Sequence, residues 1–233
     1  MAKEITIQAS DGSGSFMAYL AEPTSGKGAG ILVIQEIFGV NQVMREICEN
    51  LAAQGYFALC PDLFWRQEAG VNITDKSQAE WDKAFKLFNG FDLDKGIDDL
   101  KASLAVLRKL PGCTGKAGTV GYCLGGRLAY LMACRSDVDA AVGYYGVALT
   151  DHLSEIGNIR KPLMMHMANK DKFVPKEAQD QIRTAFQKQP LITLHEYPDC
   201  DHAFARVGGE HFDKNAADLA NQRTAEFFGK HLA

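Results

Sequence analysis

Long apolar runs are missing from this chain of 233 residues. The longest, such as Gly30–Ile34, fall far short of the roughly 20 residues that span a bilayer, so no transmembrane helix is expected. Positive charge is not in excess either. The balance of 25 Lys and Arg against 29 Asp and Glu leaves a net charge of −4, with no basic footprint for nucleic acid or an anionic membrane surface. The opening residues, Met-Ala-Lys-Glu-Ile-Thr-Ile-Gln, lack the apolar core of a signal peptide. Cysteines stand at 48, 60, 113, 123, 134 and 200, but no C-x-x-C pair occurs among them. Free thiols in a cytoplasmic protein are expected. Histidines 152, 166, 195, 202 and 211 show no H-x-x-x-H spacing, which argues against a metal site. Gly208-Gly209 lacks both the preceding strand and the following Lys-Ser/Thr of a phosphate loop. Repeats, linkers and low-complexity tracts are absent. These absences leave one soluble domain, residues 1–233, needing no metal or organic cofactor.

What the chain does contain is a regular alternation of strand and helix patterns. Glu4–Gln8 and Ser15–Ala21, joined by Asp11-Gly-Ser-Gly, predict an antiparallel hairpin. Gly30–Gln35, Tyr56–Cys60, Lys116–Val120, Ala140–Tyr145, Pro162–Met167 and Leu191–Tyr197 read as short strands. Several are apolar throughout, as strands covered on both faces are. Helical spacing marks the stretch from the Asn41 cap to Gln54, then Ser77–Phe88, Leu93–Leu110, Arg127–Cys134, Lys176–Gln187 and Asp213–Phe228. This order predicts an α/β fold, a mostly parallel doubly wound sheet flanked by helices and opened by the hairpin.

The chemistry gathers at Thr119-Val-Gly-Tyr-Cys-Leu-Gly-Gly126. This is G-x-C-x-G-G between a strand and a helix, the nucleophile-elbow pattern with cysteine in place of serine. Glycines flank the nucleophile because side chains would clash where a strand turns abruptly into a helix. A thiol there lies at a helix start, where N–H groups and the dipole favour negative charge. Two further candidates follow later strands: Asp171 after Pro162–Met167, and His202 after Leu191–Tyr197. In a parallel sheet, active residues collect beyond the carboxyl ends of the strands. The chain order nucleophile, acid, histidine is that of α/β-hydrolases. In such a set the thiolate attacks an acyl carbon, the imidazole handles the proton, and the carboxylate fixes the imidazole's tautomer. Glu36 closes a buried apolar strand, where a carboxylate needs a partner; Arg206 is a reasonable one.

Gln35-Glu-Ile-Phe-Gly-Val-Asn41, Cys60-Pro-Asp-Leu63, Gly121-Tyr-Cys-Leu-Gly-Gly126, Gly143-Tyr-Tyr-Gly146, Asp171-x-Phe-Val-Pro175 and His202-x-Phe-x-Arg206 together resemble the dienelactone hydrolase (carboxymethylenebutenolidase) family over almost the whole chain. The resemblance implies an α/β-hydrolase fold and a triad of Cys123, His202 and Asp171. It also implies that Glu36 takes the thiol proton when substrate binds, while Arg206 pairs with Glu36 or with a substrate carboxylate. The backbone N–H groups of Leu124 and Ile37 would form the oxyanion hole. Ile37, Phe38, Tyr144, Tyr145 and Phe173 would line an apolar pocket. The implied partner is a small lactone or ester, and the implied state a monomer.

Three positions depart from the chlorocatechol-pathway members of the family. Trp81 stands where they hold the substrate carboxylate with a second arginine, Phe85 where they carry a tyrosine, and Ala203 where a serine follows the histidine. All three changes remove polar contacts, so Trp81 and Phe85 are expected to meet a larger or less charged substrate. The reading from sequence is therefore hydrolysis of a dienelactone-like lactone or activated ester through a cysteine acyl-enzyme. A broad carboxylesterase or acyl transferase, and a thiol redox sensor, are the alternatives. Cys200, two residues before His202, could form a disulfide with Cys123 on oxidation if the geometry allows.

Overall fold

The structure, a computed structural model, describes residues 2–233. The chain divides into two compact units, 1–117 and 118–233, and the division falls inside a strand rather than in a linker.

The first unit opens with β1 (Ala2–Gln8) and β2 (Ser15–Ala21), the expected hairpin, paired antiparallel from Ala2↔Ala21 to Gln8↔Ser15. β3 (Gly28–Ile34), α1 (Gln42–Ala53), β4 (Phe57–Pro61), α2 (Gln78–Asn89) and α3 (Leu93–Arg108) follow. The strands lie in the order β1-β2-β4-β3, with β4 antiparallel to β2 and parallel to β3. Ile31, Leu32, Val33 and Ile34 are wholly buried, which explains the absence of apolar-polar alternation in that strand. The side chains of Asn41, Ser77 and Asp92 accept from backbone N–H groups three residues on and so start α1, α2 and α3. Asp99 lies deepest among the carboxylates of this unit. It takes both arms of Arg66, at 2.8 and 2.9 Å, and the Trp65 indole N–H at 2.8 Å, so both of its oxygens are paired despite burial.

β5 (Cys113–Tyr122) carries the chain into the second unit, followed by α4 (Leu124–Arg135), β6 (Ala140–Tyr144), β7 (Leu163–Ala168), α5 (Lys176–Phe186), β8 (Ile192–Tyr197) and α6 (Lys214–Leu232). Here all neighbours are parallel, in the order β5-β6-β7-β8. A 3-10 run, Leu149–Asn158, lies between β6 and β7, where no element was expected.

The core of this unit holds a chain of polar groups. Tyr144 Oη donates to Asn221 Oδ1 (3.0 Å) and lies 2.6 Å from Thr224 Oγ1, which is 3.1 Å from His166 Nε2. His166 Nδ1 is 2.8 Å from Tyr197 Oη, and Arg223 donates to that oxygen. Counting donors leaves one order. Tyr144 spends its proton on Asn221, so Thr224 donates to Tyr144, His166 donates from Nε2 to Thr224, and Tyr197 donates to Nδ1. Every hydroxyl is satisfied, and His166 must be neutral. Burial, and then the nearby His195 and Arg223, hold its pKa well below the usual histidine value.

Candidate active site

β5 ends at Tyr122 and α4 begins at Leu124, so Cys123 alone makes the turn. Its backbone sits at φ 57°, ψ −113°, a region costing a non-glycine residue about 1–3 kcal/mol. The turn persists because its surroundings leave no alternative. A Cβ on Gly121 would overlap the Gly125 carbonyl, and one on Gly126 would come within 2.5 Å of the Tyr144 carbonyl oxygen. Cys123 N–H donates to that same carbonyl (3.1 Å), which ties the elbow to β6. Leu124 is the first residue of α4, where a backbone N–H has no partner within the helix and is available to an anion.

Asp171 follows β7. Its Oδ1 accepts from Phe173 N–H at 2.8 Å, and its Oδ2 lies 2.7 Å from His202 Nδ1. Both oxygens are thus fixed, and the carboxylate holds the imidazole with Nε2 turned away from it. The loops bearing the two residues are bonded to each other. Asn169 N–H donates to the Tyr197 carbonyl (3.0 Å) and Lys170 N–H to the Cys200 carbonyl (2.9 Å). Gln179, buried on α5, braces the acid loop by donating to the carbonyls of Val174 (2.8 Å) and Asn169 (3.2 Å).

His202 is buried, with the Tyr145 ring 5.2 Å and the Phe173 ring 4.8 Å from its own, both edge-on. Burial by itself would lower its pKa. The charge of Cys123 and the hydrogen bonds that His202 gives to Asp171 and to Cys123 outweigh burial and push it up to about 10. Beside a charged Cys123 the imidazole therefore keeps its proton at neutral pH, at Nε2 on the cysteine side. Cys123, His202 and Asp171 thus meet within the second unit, in the arrangement the chain order suggested.

Phe173 is 51% exposed, an apolar ring standing at the edge of the histidine. Tyr144, by contrast, is wholly buried, with its hydroxyl committed to Thr224 and Asn221. Tyr145, at φ 37°, is the tyrosine against His202. Of the two tyrosines expected to line the pocket, Tyr145 thus stands beside His202 while Tyr144 belongs to the core. Ala203 takes φ 60°, and Arg206 donates its backbone N–H to the Ala203 carbonyl (2.9 Å) in the same turn. Cys123 and Cys200 are free thiols; burial raises the Cys200 pKa, with nearby Asp213 and Asp199 adding to it.

In the first unit, Glu36, Ile37 and Phe38 follow β3 and are all buried. Val40 N–H to the Val71 carbonyl and Ile73 N–H to the Phe38 carbonyl, both 3.1 Å, hold this loop. Phe38 meets Trp81 edge-on at 5.1 Å, and Trp81 stacks on Phe85 at 5.5 Å. The indole N–H is spent on the Asp75 carbonyl (3.1 Å), leaving Trp81 to act through its apolar ring. Gln179 is a contributor that sequence patterns do not single out, since a glutamine on an amphipathic helix reads as surface. Among the described residues no three His, Cys, Asp or Glu side chains are grouped to hold a metal, and no helix is long and apolar enough to cross a membrane.

A strained cysteine at a strand-to-helix turn, facing a histidine held by a carboxylate, is a frame for acyl transfer. The sequence profile of the dienelactone hydrolase family matches residues 16–232. The chain belongs to that family. A carboxymethylenebutenolidase of Pseudomonas putida is 41% identical over 96% of this chain and 94% of its own. An Azospirillum brasilense protein, itself only provisionally assigned as a carboxymethylenebutenolidase, is 53% identical over 98% of this chain and 99% of its own. A crystal structure from Klebsiella pneumoniae, provisionally a dienelactone hydrolase, superposes with a TM-score of 0.87 at 26% identity, covering 99% of this chain and 98% of that one. The fold is that of dienelactone hydrolase-like α/β-hydrolases. The family member described here is a hydrolase acting on lactone and ester bonds.

Proposed function

We propose that this hydrolase opens a dienelactone-like enol lactone, such as 4-carboxymethylenebut-2-en-4-olide to maleylacetate, through an acyl-enzyme on Cys123. The observation that carries the reading is His202, fixed by Asp171 and pushed up to about 10 beside the cysteine. A histidine already protonated at neutral pH is an acid, not a base, in the first step. Cys123 sulfur attacks the lactone carbonyl carbon, and the carbonyl oxygen becomes an oxyanion met by the N–H groups of Leu124 and Ile37. The ring C–O bond breaks as His202 gives its Nε2 proton to the departing enolate oxygen. Now neutral, His202 takes a proton from water, which hydrolyses the thioester, frees the thiol and releases a carboxylate. Asp171 steadies the imidazole throughout.

The raised value of His202 depends on a charged Cys123, so the thiol must lose its proton first, and Glu36 is the base proposed to take it. Arg206 positions Glu36 or takes a substrate carboxylate. Glu36→Gln tests this: the acylation burst should slow while hydrolysis of a preformed acyl-enzyme is unchanged. Equal slowing of both phases would remove Glu36 from the role.

Phe38, Trp81, Phe85 and Phe173 are proposed as the apolar contacts of the substrate. The stacked Trp81–Phe85 pair favours a second reading of specificity, an uncharged ester of similar size. A site built for a carboxylate and one built for an apolar group can differ in preference by as much as about 10⁴. The test compares kcat/KM for the carboxylate-bearing dienelactone with that for an uncharged enol ester, using Cys123→Ala as the blank. Preference for the dienelactone with a dead variant supports the first reading. Preference for the ester keeps the mechanism and changes the substrate. No turnover above the Cys123→Ala background with either compound would overturn the cysteine assignment.

A further inference from the structure

A second cleft of about 370 Å³ beside Trp65 and Phe91 offers little, because Arg66, its main charge, is already spent on Asp99 and Asp11. The buried Cys48 and Cys60 are fully enclosed and out of reach of an oxidant. The cleft on the far side of the second unit carries more.

It lies beside the amino-terminal parts of β7 and β8 and has a volume of about 590 Å³. Asp171 and His202 follow the carboxyl ends of these same strands, so the cleft is apart from the catalytic centre. Pro162, Met164, Leu191 and Phe227 provide its apolar walls. Arg223, Glu226, Phe227, Lys230 and His231 also line it. Their spacing of 3, 4, 7 and 8 residues from Arg223 puts them on one face of α6. His195, from β8, lies on the same wall as these side chains.

The charge in this cleft is not balanced. Lys230 and Arg223 have no acidic partner among the described residues; Arg223 donates only to the Tyr197 hydroxyl, over whose ring it also lies. Glu226, the one carboxylate lining the cleft, is bonded to Gln222 instead. The histidines feel the surplus. Burial lowers the pKa of His195 and Arg223 lowers it further, while burial and Lys230 do the same to His231. Both imidazoles are thus neutral donors near pH 7, His231 also lying 4.6 Å from the Phe227 ring. In a chain with a net charge of −4, a concentration of unpaired positive charge over apolar walls is a binding feature rather than a general property of the surface.

We propose that this cleft is a second binding site, for a small organic carboxylate with an apolar body. The carboxylate pairs with Lys230 and Arg223, and the body rests on Phe227, Met164 and Leu191. The probe is benzoate, with benzamide as its uncharged isostere, titrated into the full-length protein and followed by amide NMR. Benzoate should shift the resonances of Thr193–His195 and Phe227–His231 saturably, with a Kd of about 1 mM, as suits so small a ligand. Benzamide should not. Lys230→Glu should weaken benzoate about tenfold, the loss of one charged contact, while kcat/KM for ester hydrolysis stays unchanged. Arg223→Gln is the second variant. Unsaturable shifts, equal binding of benzamide, or unaltered affinity in both variants would each overturn the proposal.

Discussion

At the scale of single residues, Asp171 and His202 should separate cleanly from folding. Asp171→Asn keeps the shape, and its Oδ1 can still accept from Phe173 N–H, but the amide can present its N–H to Nδ1 and turn the imidazole to the wrong tautomer. Activity should fall by about 10²–10⁴ with little loss of stability, measured as kcat beside a urea midpoint. The raised pKa of His202 also has a thermodynamic sign. The folded state binds the proton more tightly than the unfolded chain, whose value is near 6.5, so the stabilisation is complete below that pH. It fades as pH rises through the folded value of about 10. Wild-type stability should therefore decline between these limits, and in Cys123→Ala the decline should shrink, because the charge that raises the value is gone. A wild type and variant with the same alkaline slope would contradict this. Cys123, Asp171 and His202 were all legible in the sequence because each stands just past a predicted strand. The distinction between Tyr144 and Tyr145, both expected at the pocket, was not legible. It depends on a φ of 37° at the strand end, and residue alternation says nothing of where the chain leaves the sheet.

At the scale of elements, the elbow is the most constrained piece. Gly126→Ala would place a methyl group 2.5 Å from the Tyr144 carbonyl oxygen and 2.9 Å from Gly146 Cα. Backbone on both sides cannot yield cheaply, so a loss of about 2–4 kcal/mol is expected, together with loss of activity. Denaturation midpoints and Cys123 alkylation rates check both halves. The strand-glycine-helix pattern made this element readable in advance, as it did the hairpin and the Asn41 cap. The run Leu149–Asn158 stayed hidden for a physical reason. Leu149, Leu153 and Ile156 do recur at helical spacing, but only Leu149 is buried, and a run this short in a 3-10 conformation carries no strong periodic signal.

At the scale of the whole molecule, pH acts mainly through histidines that folding keeps neutral. His166, His195, His152 and His231 all have lowered values, burial being the first cause in each. The unfolded chain takes up protons near 6.5 where the folded chain does not, so stability should drop as pH falls below about 6.5. His166 has the strictest reason, since protonation at Nδ1 would set a donor against the Tyr197 hydroxyl. Replacing it with Gln should cost stability at neutral pH and flatten the acid slope in urea titrations; an unchanged slope would show that the drop arises elsewhere. The composition pointed to a chain without membrane spans or nucleic-acid footprint, but the hydrogen-bonded chain from Arg223 to Asn221 joins β6, β7, β8 and α6. Such non-local pairings leave no sequence pattern.

The two hydrogen bonds from Asn169 and Lys170 to the carbonyls of Tyr197 and Cys200 make the acid and the histidine a single heritable part. Recombination between related genes would keep the pair matched if both crossovers fall outside 163–204, and would mismatch the loops if one falls between them. A library of chimeras should accordingly show activity clustered by the parent of that segment, whichever parent supplied the rest of the second unit.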